Sequence, residues 1–138
     1  MISVDTNLLV RVLTNDDPTQ ARRAAKILQS DEIFIPKTVI LETQWVLNYA
    51  YAIHKVDILS GFKKLLGLPN VYPEDSETIT QAIFWNEQGF DFADALHLAS
   101  SRGLDKFATF DAAFAKKACK ISSLEVVSKA QIRFKGKA

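Results

Sequence analysis

Short apolar runs alternate with longer helix-like stretches along this chain, and that alternation limits the fold more than any other feature. Ile2-Ser3-Val4, Ile33-Phe34-Ile35, Phe107-Ala108-Thr109 and Leu124-Glu125-Val126-Val127 read as strands, with Val71-Tyr72 a shorter one. The intervening segments carry helix start and stop signals. Asn7 is the expected N-cap of a helix over Leu8–Thr14, and Pro18 suits the first position of one running to about Ser30. Lys37 to about Ala52 and Val56 to Leu66 are further helices, the second ended by Gly67 and Pro69. Asp75 or Ser76 caps a helix to about Gln88, Asp91 opens one that Gly103 ends, and Ala112 to Lys117 makes a helical turn. Strands that alternate with helices predict an α/β fold with a central, mainly parallel sheet of four to five short strands flanked by helices.

At 138 residues the chain has the length of a single domain with a real core. We place that domain at residues 1–128 and a basic C-terminal tail at 129–138. No apolar run reaches the roughly 18–20 residues of a membrane helix, so no membrane association is expected. A strand that begins at residue 2 leaves no room for an export signal. Cys119 stands alone, which excludes an internal disulfide and a cysteine zinc cluster. A cytoplasmic protein is the expectation. Residues 1–115 carry 15 acids and 10 bases, whereas residues 116–138 carry seven bases against Glu125. That asymmetry fits a polyanionic partner at a basic edge, although a solvated tail is the simpler reading.

Four acids stand where the backbone should turn inward. Asp5 and Asp111 follow strand-like runs, and ligands of open α/β sheets bind beyond the C-terminal ends of strands. Either one alone also reads as a turn or cap residue. Glu42 falls on a helical stripe with Val39, Val46 and Tyr49, an anomalous place for an acid unless it snorkels to solvent or pairs with a lysine. Asp91 and Asp94 open a helix in a D-x-x-D pattern; capping explains Asp91 fully, while Asp94 leads into the apolar Ala95, Leu96, Leu98 and Ala99. Carboxylates gathered on one rim repel one another unless a cation compensates them. Hard divalent ions such as Mg²⁺ or Mn²⁺ prefer such oxygen donors. His54 reads as an exposed loop residue and His97 as a packed structural one. Trp45, Tyr49, Phe84, Trp85 and Phe92, at helical spacing, read as core or subunit contact rather than as a base-stacking surface.

Taken in order, V-D-T-N-L-L, the glutamate of I-L-E-T, D-F-A-D-A-L-H-L-A and A-T-F-D-A-A-F resemble the PIN-domain nucleases, most closely the VapC-like toxins of toxin–antitoxin pairs. The resemblance runs from Ile2 to about Val127. It implies a three-layer PIN-like domain whose first strand is central. It also implies that Asp5, Glu42, Asp94 and Asp111 hold Mg²⁺ or Mn²⁺, with Asn7 and Thr109 as supporting polar residues; Asp91 is an additional acid whose role it leaves open. The activity implied is metal-dependent endoribonuclease cleavage of RNA, with a protein antitoxin as partner and a homodimer as the assembly. One alternative is a catalytically silent PIN-like domain that only binds RNA or protein. A receiver-like phosphoacceptor domain is the other, but it needs a lone Asp ending its third strand, and the region around Val71 has none.

Overall fold

The computed structural model describes residues 1–122 and 125–127, and the chain divides into two compact units, Met1–Leu96 and His97–Ala138. In the first, β1 (Ile2–Ser3) leads to α1 (Thr6–Thr14) and α2 (Pro18–Ser30), then β2 (Ile33–Ile35) to α3 (Lys37–Trp45) and α4 (Lys55–Leu66). β3 (Val71–Pro73) and α5 (Ser76–Glu87) follow, and the division between the units falls within α6 (Phe92–Ser100). The strands pair in the order β1-β2-β3, all parallel, with Ile2 opposite Ile33 and Ile33 opposite Val71. Parallel neighbours require long crossovers, and the helix pairs α1–α2 and α3–α4 supply them. In the second unit β4 (Lys106–Ala108) runs parallel to β5 (Glu125–Val127), with α7 (Ala112–Ile121) between them in sequence. The α/β class and the parallel strands flanked by helices are as the sequence predicts. The ladders form a three-stranded and a two-stranded set, and β1, which the resemblance places centrally, has β2 as its ladder neighbour.

β2 occupies the middle of the first set, and its Ile33 and Ile35 are fully buried. Leu9, Ile40, Phe62, Ile79 and Phe92 complete a core drawn from helices α1, α3, α4, α5 and α6. The Phe62 and Phe92 rings lie 6.1 Å apart, a tilted pair that ties α4 to the start of α6. In the second unit Phe107 and Phe114 pair at 5.6 Å.

Several element ends differ from the sequence reading. α1 begins at Thr6 and is capped by Asp5, not Asn7, because the Asp5 carboxylate reaches the backbone N–H of Leu8 at 3.0 Å. The predicted helix to Ala52 is α-helical only to Trp45; a π-helical turn, Val46–Ala50, completes it, with Tyr51 N–H donating to the Val46 carbonyl. α3 lacks a cap of its own at Pro36, and Glu74, just past β3, supplies one by accepting from Lys37 N–H at 2.8 Å. α6 stops at Ser100, before Gly103, while α7 outlasts the predicted turn and reaches Ile121. Thr109 falls just outside β4. Leu124 and the basic tail at 129–138 lie outside the described residues. Among those residues no helix is long and apolar enough to cross a membrane.

The aromatic residues divide. Trp85 and Phe92 are buried, but Trp45, Tyr49 and Phe84 are exposed and are not core. On α3 and its π turn the buried face is Ile40, Thr43 and Leu47, so Trp45 and Tyr49, each two positions from its nearest buried neighbour, fall on the opposite side and are left in solvent. His97 is exposed, not packed, and the exposed His54 caps α4 by accepting from Val56 N–H.

Candidate functional site

β1 carries the chain to Val4, which is buried, and delivers Asp5 at the strand's carboxyl end with an extended backbone. One Asp5 carboxylate oxygen accepts the α1 capping bond from Leu8. The other has no hydrogen-bond partner among the described residues, so capping uses only half of the group. Thr6, the first residue of α1, donates its hydroxyl to Oε1 of Glu42 on α3, a contact that joins the two helices. Asp5, Thr6, Asn7 and Glu42 then line one cleft of about 390 Å³, together with Val46 and Tyr51. Glu42 therefore does not sit on the core stripe of its helix: Val39 and Val46 are half-buried, Tyr49 is exposed, and this face borders open clefts.

Tyr51 is fixed from outside the cleft. Its hydroxyl donates to Asp16 Oδ2 at 2.8 Å, and Arg11 donates to both Asp16 oxygens at 2.9 and 3.1 Å. The Tyr51 hydrogen bond, with help from Thr14 and Arg11, holds the Asp16 carboxyl below its ordinary value. Asp16 in turn pushes the Tyr51 hydroxyl upward, mainly through the same bond. Arg11, raised chiefly by its hydrogen bond to Asp16, stays charged. Sequence reading missed this network because Tyr51 meets partners 35 and 40 residues away. Thr6 was open to discovery, as a hydroxyl beside a strand-end acid.

Asp91 and Asp94 meet as the D-x-x-D pattern predicts, with Asp91 Oδ2 accepting from Asp94 N–H at 3.2 Å. Asp91 also lines a second cleft, about 590 Å³, with Glu42, Trp45 and Tyr49. Glu42 thus borders both clefts, sharing one with Asp5 and the other with Asp91. In the second unit Asp111 caps α7, accepting from Phe114 N–H at 2.9 Å, while its own N–H donates to Thr109 Oγ1 at 3.0 Å.

Among the described residues no three His, Cys, Asp or Glu side chains stand close enough together to hold a metal ion, so Asp94 does not complete a three-acid set with Asp5 and Glu42. The Asp5–Glu42 cleft still fits a hard cation in kind. Mg²⁺ keeps several waters and takes one or two protein carboxylates plus substrate phosphate. Two carboxylates, a hydroxyl and a carboxamide surround a space of about 390 Å³, room for on the order of ten waters. An all-oxygen donor set belongs to Mg²⁺ or Mn²⁺ rather than to zinc.

The family model for the PIN domain matches residues 2–120 of the chain. No curated protein matches it.

Proposed function

The chain belongs to the PIN-domain family, and from that premise we propose that it is a Mg²⁺- or Mn²⁺-dependent endoribonuclease, the toxin of a toxin–antitoxin pair. PIN domains are generally nucleases, so a nuclease-type activity on nucleic acid is what membership gives this chain. The observation that carries the finer reading is the shared cleft of Asp5 and Glu42.

In this reading Asp5 binds through the carboxylate oxygen that capping leaves over, and Glu42 through the oxygen that Thr6 does not engage. Thr6 orients Glu42, and the Asn7 carboxamide stands beside both as a positioning group. When bound, the divalent ion supplies Lewis acidity toward the phosphoryl oxygens and activates water for in-line attack. No protein nucleophile is required. Asp94 and Asp111 enter the proposal on the motif resemblance, with Asp91 and Thr109 as their respective hydrogen-bonding supports. The toxin role rests on the order of the four motifs, and a co-encoded protein antitoxin and a homodimer are proposed with it. The exposed Phe84 and Val56, on α5 and α4, offer apolar surface for such partners.

The test is incubation of the purified protein with a mixed RNA pool in Mg²⁺, Mn²⁺ or EDTA. Cleavage with metal and none in EDTA is the expected result. Binding without cleavage in any condition would leave a silent RNA-binding domain instead. A small gene for a DNA-binding protein immediately upstream is the corresponding expectation for the toxin role.

A further inference from the structure

Three clefts of the first unit have lining acids in common. The first, about 280 Å³, is lined by Arg11, Gln20 and Arg23 and reaches Asp5. Asp5 shares the second with Glu42. Glu42 also lines the third, about 590 Å³, together with Trp45 and Tyr49.

The two ends of this series differ in chemistry. At one end Arg11 is engaged by Asp16, but Arg23 is exposed and has no hydrogen bond or ion pair among the described residues. At the other, Trp45 and Tyr49 are 57% and 68% exposed, with ring centroids 5.4 Å apart and planes tilted by 33°. The helix changes from α to π at this point, over Val46–Ala50, a local irregularity frequent at functional sites. Trp45 and Tyr49 lie three and seven residues beyond Glu42, roughly 4 and 10 Å along the helix axis. A free cation, a pair of acids and a double aromatic face therefore line clefts that have Asp5 or Glu42 in common.

We infer that Arg23 and the Trp45–Tyr49 pair flank the scissile phosphate on one path across these clefts: a backbone phosphate of an unpaired strand at Arg23, the scissile phosphate at Asp5 and Glu42, and a neighbouring base stacked on Trp45 and Tyr49. The inference rests on the nuclease reading and adds the side chains that hold the strand on either side of the scissile phosphate. Aromatic faces receive bases that have left their stack, which single-stranded RNA offers and an A-form duplex does not. A protein partner seated on Trp45 and Tyr49 would need neither the acids nor Arg23, whereas a strand uses all three in series.

The experiment is fluorescence anisotropy of a short labelled RNA with the full-length protein in EDTA, where binding is read without cleavage. The Trp45→Ala/Tyr49→Ala variant should bind roughly 5- to 150-fold more weakly with an unchanged salt slope. Arg23→Gln should also bind more weakly, and the magnitude of its salt slope should fall by about 0.7. Trp45→Phe, which retains a ring, should restore most of the affinity lost on truncating that position. The same RNA annealed to its complement should bind less well and be indifferent to loss of Trp45 and Tyr49. Wild-type affinity in both the aromatic and the Arg23 variants would overturn the path, as would an aromatic variant altered only in its mass by light scattering. Adding Mg²⁺ afterwards separates the two readings: cleavage by variants of unchanged affinity overturns the path alone, and expected binding losses without any cleavage overturn the nuclease reading alone.

Discussion

Asp5 performs a structural task with one oxygen and is proposed to bind metal with the other, and three versions of this residue separate the two roles. Asp5→Asn keeps a side-chain oxygen for the Leu8 N–H, a bond of 3.0 Å in the wild type, because Asn caps helices as well as Asp does. Asp5→Ala loses that bond, which costs about 0.5–2 kcal/mol. In EDTA, Asp5→Asn should therefore melt at or slightly above the wild-type temperature, since it removes one of the two acidic charges that line the cleft. Asp5→Ala should melt lower by a few degrees, at about 3–4 °C per kcal/mol for a chain of this size. Added Mg²⁺ or Mn²⁺ at ~100 times its dissociation constant should stabilise the wild type by roughly 2.7 kcal/mol, or about 10 °C. Neither variant should gain more than a small part of this. Differential scanning fluorimetry of the three proteins with and without metal reads every term. An Asp5→Asn protein that gains as much from metal as the wild type would refute the ligand role and leave Asp5 a cap.

Phe62 is fully buried against Phe92, so Phe62→Ala should lower the unfolding free energy by about 3–5 kcal/mol in urea titration; a loss under about 1 kcal/mol would contradict the packing described for α4 and α6. Asn70 donates its amide to the Leu28 and Asp31 carbonyls at 2.6 and 2.8 Å, and Asn70→Ala should cost about 1–3 kcal/mol in the same titration, more than a neutral surface change. The Asp16 carboxyl is depressed, so its contribution is present above its unfolded value and is lost as pH falls through the lower folded one. Tyr51 is raised, so its contribution is present below its unfolded value and is lost as pH rises through the higher folded one. Tyr51→Phe should accordingly be less stable than wild type near neutral pH, the gap closing in acid and in strong base; a gap independent of pH would show that the hydrogen bond is not its source.

The parts of the fold that were legible in the sequence are those set by local pattern. Ile33-Phe34-Ile35 reads as a strand because an apolar triplet bounded by Pro36 has few other uses, and it is the buried centre of the three-stranded set. The Asp91–Asp94 contact follows from a spacing that one helical turn imposes. Asp5, Thr6 and Asn7 are all competent caps, and only the direction of the chain leaving β1 decides that Asp5 takes the role. In the sequence Glu42 reads as part of a core stripe with Val39, Val46 and Tyr49, but the true core face is Ile40, Thr43 and Leu47, one position round the helix. Periodicity could not separate these two faces, because both carry apolar residues. The π turn at Val46–Ala50 leaves no mark in composition, and the exposure of Trp45 and Tyr49 follows from which face the core takes. Pairings such as Thr6 with Glu42 and Tyr51 with Asp16 span more than thirty residues and arise only from the tertiary fold.

Cleavage by Glu42→Gln tests the central claim most directly. Glutamine matches glutamate in shape and keeps an oxygen for the Thr6 hydroxyl, so the substitution removes charge and little else. Wild-type and Glu42→Gln protein, matched in circular dichroism and melting temperature in EDTA, would be given the same RNA over a series of Mg²⁺ and Mn²⁺ concentrations. The Asp5–Glu42 account predicts metal-dependent cleavage by the wild type and its loss, at least 100-fold on the scale of about 2.7 kcal/mol of barrier, in the variant at every metal concentration. Cleavage by Glu42→Gln at the wild-type rate, or equal cleavage by the wild type in EDTA, would contradict it.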